Sequence, residues 1–517
     1  MIARRQDRDR WPFPAMMPFR IYDYPLPAVM PEIPMPRAGE WPLTMASDVL
    51  KFQERTSHLP SHNHVYFHVP FCPFKCSFCP FYKNTNHTQM RAYVEGVLHE
   101  IDLYARIPKL ANRTYQTVYF GGGTPSELST DDFSRILAAL RGALQLAPDV
   151  EITLEGVAEQ MMEPGYLERC QELGFTRIAI GVQSLDPKVR KAIGRGNDSV
   201  EANREAVELA NRLGLRANAE LMMACPDQDE ESLQSDLNEV IRWQPASVDV
   251  DAYKMIPGTS LYTSILRGRR KEPGYGARLM RMHEMVTSTF LGAGYRLARA
   301  EVFVRNDTHR FLPSSPEMVG NSLHTHLAFG PSAIGHIEGT AFRNVSDIST
   351  YLAAVHEGRF PIDRAERLNR HTAARRALLY AMGALYVPDV LISSGRHQKL
   401  FASWHAEGLV DRVDGAYRLT EHGFHWEGQM QIALLGLAGL WKGARMLGSY
   451  AEQEQLASRQ TELGREFLTQ VAGRSRVKKA GYMLTLKALK HLPVISQRPI
   501  GLLGELEAEH TTSPLAT

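Results

Sequence analysis

The segment FCPFKCSFCPFYK at residues 71–83 holds three of the chain's five cysteines, Cys72, Cys76 and Cys79, in the spacing C-x3-C-x2-C. Among common metals, thiolates select zinc or iron–sulfur clusters. A structural zinc site closes with four ligands. Cys170 and Cys225 lie 91 and 146 residues beyond Cys79, so zinc would need a histidine such as His68 or His87. A 4Fe-4S cube normally takes four cysteines, one per iron. With three, one iron stays open to a non-protein ligand. A small molecule with an amine and a carboxylate could chelate that iron beside an electron source.

Such a loop needs a frame. From residue 64 short β-rich runs alternate with helical patterns: VYFHV (65–69), TVYF (117–120), EITLE (151–155), RIAIGV (177–182), ANAELMM (217–223) and SVDVDAY (247–253). Amphipathic segments such as MRAYVEGVLHEIDLYARI and DDFSRILAALRGALQL separate them. Six β-then-α units predict an α/β fold with a parallel sheet and right-handed crossovers. The strands read as largely apolar on both sides, as a helix-covered sheet requires. Six units are too few for a closed eightfold barrel, so an open, partial (β/α)6 barrel is expected over 61–300. Sites in such folds gather at the C-terminal ends of strands, and the cysteine loop begins just after the first strand.

The remaining chain divides by pattern. Residues 1–60 form a proline-rich extension; aromatic Trp11, Phe13, Phe19, Tyr22 and Tyr24 suggest an extended strap. Residues 301–363 are irregular, with AFGPSAIGHIEGTAFRN (328–344) expected to form a strand pair. Over 364–430, two helices (roughly 365–386 and 396–407) precede LVDRVDGAYRLT, whose Asp414-Gly415 reads as a hairpin turn. That order is winged-helix-like. Residues 431–517 read as a helical C-terminal extension.

Composition excludes several classes. The net charge of +2, from 59 basic and 57 acidic residues, gives no reason to expect a nucleic acid or a membrane surface as main partner. Glu366, Asp389, Glu407, Asp411 and Asp414 offset the basic residues of the winged-helix-like unit, which argues against a DNA-binding face. The apolar run Ile432 to Trp441 is too short to span a bilayer. No apolar segment follows the charged N-terminus, so a secretory signal is not expected. An odd cysteine count without such a signal implies a reducing, cytoplasmic setting.

The cysteine spacing with Phe78 at the aromatic position resembles the signature C-x3-C-x-aromatic-C of the radical S-adenosylmethionine (radical SAM) enzymes. YFGGGTPS (119–126), EITLEG (151–156), IGVQSLDPKVRKAIGR (180–195), ELMMACPDQDEESL (220–233) and YKMIPGTSLY (253–262) look like successive motifs of one branch. That branch holds oxygen-independent coproporphyrinogen III oxidase, a haem chaperone, anaerobic haem-degrading enzymes and class C methyltransferases. The likeness covers about residues 60–430. It implies a 4Fe-4S cluster on Cys72, Cys76 and Cys79 and reductive cleavage of SAM to a 5′-deoxyadenosyl radical. It also implies a one-electron reductant such as flavodoxin or ferredoxin. By resemblance, Gly121, Gly122, Gly123 and Thr124 receive the methionine amine, Glu155 touches the cofactor, Gln183 bonds the ribose and Arg195 pairs with the SAM carboxylate. Glu220, Tyr66 and Phe78 complete the implied SAM contacts.

Within the branch, the oxidase has a further cysteine two positions after the third, where this chain has Phe81; this disfavours decarboxylation of coproporphyrinogen. The CPFYK variant and long termini look closer to class C enzymes, which use two SAM molecules. The expected reaction is methyl or methylene transfer to a small-molecule secondary metabolite. Sulfur insertion, another radical rearrangement and porphyrin or haem processing stand as alternatives. Cys225 and His68 are the catalytic candidates, each equally readable as packing. His324 and His326 read as part of an ordinary polar loop.

Overall fold

The computed structural model describes residues 63–79, 87–253, 259–271, 277–305 and 325–427 apart from a few single positions, with four positions in 430–434 and three isolated ones before residue 63. Phe81, His324, and nearly all of the two terminal extensions lie outside the described residues.

Six strands follow one another: β1 (His64–Val69), β2 (Thr114–Gly122), β3 (Gln145–Gly156), β4 (Arg177–Gln183), β5 (Arg216–Met223) and β6 (Ser247–Ala252). Each pairs in parallel with the next. Helices α1 (Met90–Ala105), α2 (Thr130–Ala143), α3 (Tyr166–Leu173), α4 (Pro187–Ile193), α5 (Val200–Arg212) and α6 (Glu230–Arg242) lie along the crossovers. Their starts are encoded locally. Ser129 with Asp132, and Asp229 with Ser232, form reciprocal capping boxes. Asp186 accepts the Lys188 and Val189 N–H groups, with Pro187 at the first helical position.

The expectation of strands apolar on both faces holds only outward. Val65, Phe67, Val118, Phe120, Ile152, Leu154, Ile178 and Ile180 are buried there. The Phe67 ring stacks on Phe120 and Phe329, with centroids 4.6 and 4.9 Å apart. Inward positions are polar and fall into layers, because side chains two apart share a face. At the lower end His64 Nδ1 lies 2.5 Å from Thr117 Oγ1. Buried Glu151 sits 3.3 Å from Arg177 Nε and 3.1 Å from Arg216 Nη1. Arg177 Nη1 donates to Ser247 Oγ (2.7 Å), which donates to Asn218 Oδ1 (2.7 Å). Tyr66, Tyr119, Glu220 and Asp249 stand above, and His68, Gly121, Glu155 and Gly181 near the top. The strands are polar inside because this face encloses a site rather than a second hydrophobic layer.

The sheet does not stop at six strands. After α7 (Ser260–Leu266) and α8 (Ala277–Gly292), β7 (Arg296–Arg299) and β8 (Val302–Val304) extend it antiparallel beyond β6. On the other side β9 (His326–Phe329) pairs in parallel with β1. Antiparallel β10 (Ile334–Ile337), β11 (Thr340–Asn344) and, past α9 (Ile348–His356), β12 (Ile362–Arg367) follow it. The described sheet thus has twelve strands. His326 lies on a strand opposite His64, not in a loop; the row of donors and acceptors along β1 demands a partner there.

A second core forms over α10 (Arg370–Gly383), β13 (Tyr386–Pro388), α11 (Gly395–Ala406), β14 (Val410–Val413) and β15 (Ala416–Leu419). The three strands make a separate antiparallel sheet, with the turn at Asp414-Gly415 (Gly415 φ 65°). The first helix begins at 370 rather than 365, because 362–367 pairs with β11 instead.

Candidate active site

The cysteine loop leaves the C-terminal end of β1 and lies on the loop after β2. Gly123 N–H donates to Val69 O (2.7 Å) and Thr124 N–H to Phe71 O (2.6 Å). A Cβ on Gly123 would stand 2.4 Å from Phe71 O and 3.0 Å from Cys72 Sγ, so only glycine permits this approach. A Cβ on Gly121 would meet Glu155 Oε2 at 2.9 Å and the rings of Tyr119 and Tyr66 at 3.0 and 3.1 Å. Gly122 has φ +110° and rests over the His68 ring.

The middle of the loop is gripped from below. Ser77 N–H donates to Ile193 O (3.0 Å) and its hydroxyl to Ala192 O (3.3 Å). Leu261 N–H (2.9 Å) and the Ser260 hydroxyl (3.2 Å) donate to Ser77 O. Gly194, at φ +78°, leaves space where a Cβ would lie 2.9 Å from Ser77 N. Phe78 packs onto an apolar cluster of Val189, Ile193, Met222, Cys225, Tyr253, Leu261, Tyr262 and Ile265. Sequence reasoning missed Ser77 and Gly194; a glycine closing a short helix was the available sign.

Cys72 is buried, Cys76 and Cys79 are half-buried, and none forms a disulfide. Among the described residues no three His, Cys, Asp or Glu side chains converge where one ion would sit. His87, a candidate zinc ligand, has Nε2 3.3 Å from Cys72 O and Nδ1 3.3 Å from a Glu127 carboxylate oxygen. Both its nitrogens therefore face other groups. Three soft thiols on one loop suit a cluster that takes one thiolate per iron.

Arg195 is 5% exposed, with Nη1 4.0 Å from Cys76 Sγ and its guanidinium over the Phe74 ring. Nη2 binds Gly181 O and the Asp198 carboxylate. Asp198 also holds Arg190 at 2.5 Å. Burial disfavours the Arg195 charge, but neighbouring Cys76 and Asp198 outweigh it and raise the pKa. Asp198 is thus the protein carboxylate that holds Arg195 beside Cys76. On β3, next to the β4 strand that Arg195 binds, Glu155 accepts bonds from the Tyr119 hydroxyl and the Gly122 N–H; burial still pushes its pKa up to about 7. Glu220 is pushed well above the glutamate range by burial, then by Glu155, Asp249 and Asp251, against the pull of Arg195.

Comparison with known proteins draws these features together. The Radical SAM superfamily matches residues 66–240. The chain is 30% identical over 399 residues to an anaerobilin synthase of Escherichia coli, spanning 76% of this chain and 88% of that protein. The chain belongs to the radical SAM superfamily. It is also 29% identical over 332 residues to the oxygen-independent coproporphyrinogen III oxidase of Pseudomonas aeruginosa (61% of this chain, 70% of that one). A haem chaperone of Escherichia coli matches at 36% over 192 residues, 35% of this chain and 48% of that one. Coproporphyrinogen III oxidase from Escherichia coli shares the fold at a TM-score of 0.63 and 22% identity, over 74% of this chain and 93% of that chain. The cofactors are accordingly a 4Fe-4S cluster and SAM.

The structure brings Tyr66, Gly121, Glu155 and Glu220 to the barrel interior and sets Arg195 and Thr124 against the cysteine loop. Tyr66 stacks between Tyr119 and His326, at 6.1 and 6.0 Å. Gln183 ends β4 at φ 65°, where the register shifts past Gly181. His68 is a packed wall: 5% exposed, beneath Gly122, its carbonyl taking the Tyr93 hydroxyl at 2.9 Å. Cys225 is 1% exposed in the apolar cluster under Phe78, and burial holds its thiol protonated. Tyr119 and Asp198 were missed by sequence; Tyr119 sits two residues before the glycine run, on the Tyr66 face. No described helix is long and apolar enough to cross a membrane.

Proposed function

We propose that this radical SAM enzyme acts on a tetrapyrrole, of haem type rather than coproporphyrinogen. The observation that carries this is the 30% identity spread over 88% of an anaerobilin synthase. The names of two further relatives, an oxidase of coproporphyrinogen and a haem chaperone, also denote tetrapyrroles. Phe81, where the oxidase has a cysteine, favours the haem side.

Cys72, Cys76 and Cys79 would hold the cluster. When bound, cluster and SAM together supply a one-electron cleavage of the sulfonium to a carbon-centred adenosyl radical. The chain's residues do the positioning. Gly121, Gly122 and Gly123 clear a backbone-lined surface beside Cys72, and Thr124 ties that surface to Phe71. Burial and their mutual repulsion raise the Glu155 and Glu220 pKa values, so that a protonated carboxyl at this position could donate as well as accept a hydrogen bond. Tyr66 and Tyr119 supply flat apolar faces in the same layer. Methyl or methylene transfer from a second SAM is the finer reading of the sequence. Sulfur insertion, the alternative drawn from Cys225, is less favoured by the burial of that thiol.

The test is anaerobic reconstitution with iron, sulfide, dithionite and SAM, in the presence of haem, coproporphyrinogen III or neither. Haem-dependent 5′-deoxyadenosine with loss of the Soret band is expected. Accompanying S-adenosylhomocysteine would mark carbon transfer. Deoxyadenosine formation indifferent to every tetrapyrrole would overturn the substrate assignment.

A further inference from the structure

Three segments frame the outer side of the cysteine loop. They are the loop itself (72–79), α4 and the α7 segment continuing to residue 271, joined through Ser77 by the bonds above. Within them the described residues carry Lys75, Lys188, Arg190, Lys191, Arg267, Arg269, Arg270 and Lys271, and no aspartate or glutamate. The whole chain is nearly balanced at 59 basic to 57 acidic residues, so eight bases without an acid is a local departure. Lys75, Lys188, Lys191, Arg267, Arg269 and Lys271 are exposed. Lys188 and Lys191 are three apart and share a face of α4. Of the nearby acids, Asp198 offsets Arg190 and Asp227 lies 3.7 Å from Arg270, while Asp186 caps α4 and Glu201 pairs with Arg204; the six exposed bases carry the local excess.

Cys76 and Cys79 are half-buried in the same loop as Lys75. We propose that the cationic face formed by Lys75, α4 and residues 267–271 docks an acidic one-electron carrier protein, which gives up one electron to the cluster through the exposed side of the loop. This rests on the assignment of the cluster to Cys72, Cys76 and Cys79. Opposite charge accelerates encounter and orients it, and salt weakens both effects. The barrel interior, lined by Glu155, Glu220, Asp249 and Asp251, offers no comparable cationic face to such a carrier. The two faces of the loop thus separate electron entry from substrate.

The test uses the full-length reconstituted holoenzyme and a reduced acidic flavodoxin, following bleaching of cluster absorbance in stopped flow. In the wild type the bimolecular rate should fall steeply between about 0.01 and 0.5 M salt. Lys188→Glu with Lys191→Glu should lower the low-salt rate about tenfold or more. The total cluster reducible by dithionite should not change. A variant rate equal to wild type with flavodoxin overturns the docking surface while leaving the cluster assignment intact. An equal loss of dithionite-reducible cluster also overturns it, by showing damage to the loop. A wild-type preparation that dithionite cannot bleach overturns the cluster assignment and this inference together.

Discussion

At the lower end of the barrel interior, Glu151 and Arg177 are fully buried and answered by Arg216, Ser247, Asn218 and, beyond them, Thr117 with His64. At the upper end Gly121, Gly122, Gly123, Gly181 and Gly194 replace side chains, and two of three thiols stay half-exposed. The lower end binds its ions and polar groups to one another across four strands. The upper end holds its shape through backbone bonds, Gly123 to Val69 and Ser77 to Ile193, and so keeps side-chain chemistry for ligands. A floor made of paired charges costs stability when broken; a rim made of glycines costs occupancy when filled.

Mutations should split along that line. Replacing Cys72, Cys76 and Cys79 together by alanine should reduce bound iron and sulfide to near zero, while thermal unfolding of the apo-protein barely moves. Retained stoichiometric iron would dissolve the rim's assignment. Gly123→Ala should cut iron per folded chain by about tenfold, because the new Cβ drives Phe71 O and Cys72 away. Arg177→Met should do the reverse. It leaves Glu151 to Arg216 and Ser247 without its donor, and should lower unfolding free energy by about 3 kcal/mol, the low end for a broken buried pair, with iron per folded chain unchanged. If Arg177→Met lost iron while keeping its stability, the two ends would not be functionally distinct.

Glu100 joins the rim to the outer strands and adds a pH dependence. Its carboxylate accepts Gly330 N–H, the Tyr351 hydroxyl and Asn344 Nδ2, each at 2.8 Å. Gly330 in turn approaches His68 O so closely that a Cβ would lie 2.5 Å away. Burial pushes Glu100 up to about 7 despite these three donors. Between the ordinary glutamate pKa and 7 the native state holds a proton that the unfolded chain releases. Stability is therefore full at acidic pH and falls as pH rises through about 7, by on the order of 3 kcal/mol. Urea unfolding at pH 5, 6, 7 and 8 should show this slope, less steep in Glu100→Gln. Glu155 adds the same sign, so the difference between the two proteins isolates Glu100. Parallel slopes would mean that the junction titrates elsewhere.

What could be read beforehand follows from locality. The cysteine spacing, the glycine run and the first six strands are local patterns; apart from β3, which begins at Gln145 rather than 151, the strand ends fall within a few residues of the structure. The floor was illegible because Glu151, Arg177 and Arg216 look in sequence like solvated strand-end charges; only register brings them together. Strand β12 was mistaken for a helix start because IDRAER is charged and has no apolar periodicity; pairing with β11 decides it. Ser77, Gly194 and Asp198 escaped for the same reason, since each acts through a contact more than a hundred residues away or through another side chain. Glu155 and Glu220 were found as site residues, but their mutual charge suppression needed the parallel register to be seen.

The smallest effect concerns Cys225, where packing and chemistry make opposite forecasts. Its thiol fills the apolar pad of Val189, Met222, Tyr253 and Leu261 that carries Phe78, and burial keeps it protonated. A protonated, enclosed thiol is a poor nucleophile and a small hydrophobe. Cys225→Ala should therefore cost only about 1 kcal/mol in denaturant unfolding, through the lost sulfur's contacts. Product identity and the yield of 5′-deoxyadenosine per cluster should match wild type. Because the pad supports Phe78 between Cys76 and Cys79, a slight loosening of the rim should still register as faster iron release to a chelator. Loss of product with stability and iron intact would instead place the thiol in the reaction, and the pad would then belong to the chemistry rather than to the scaffold.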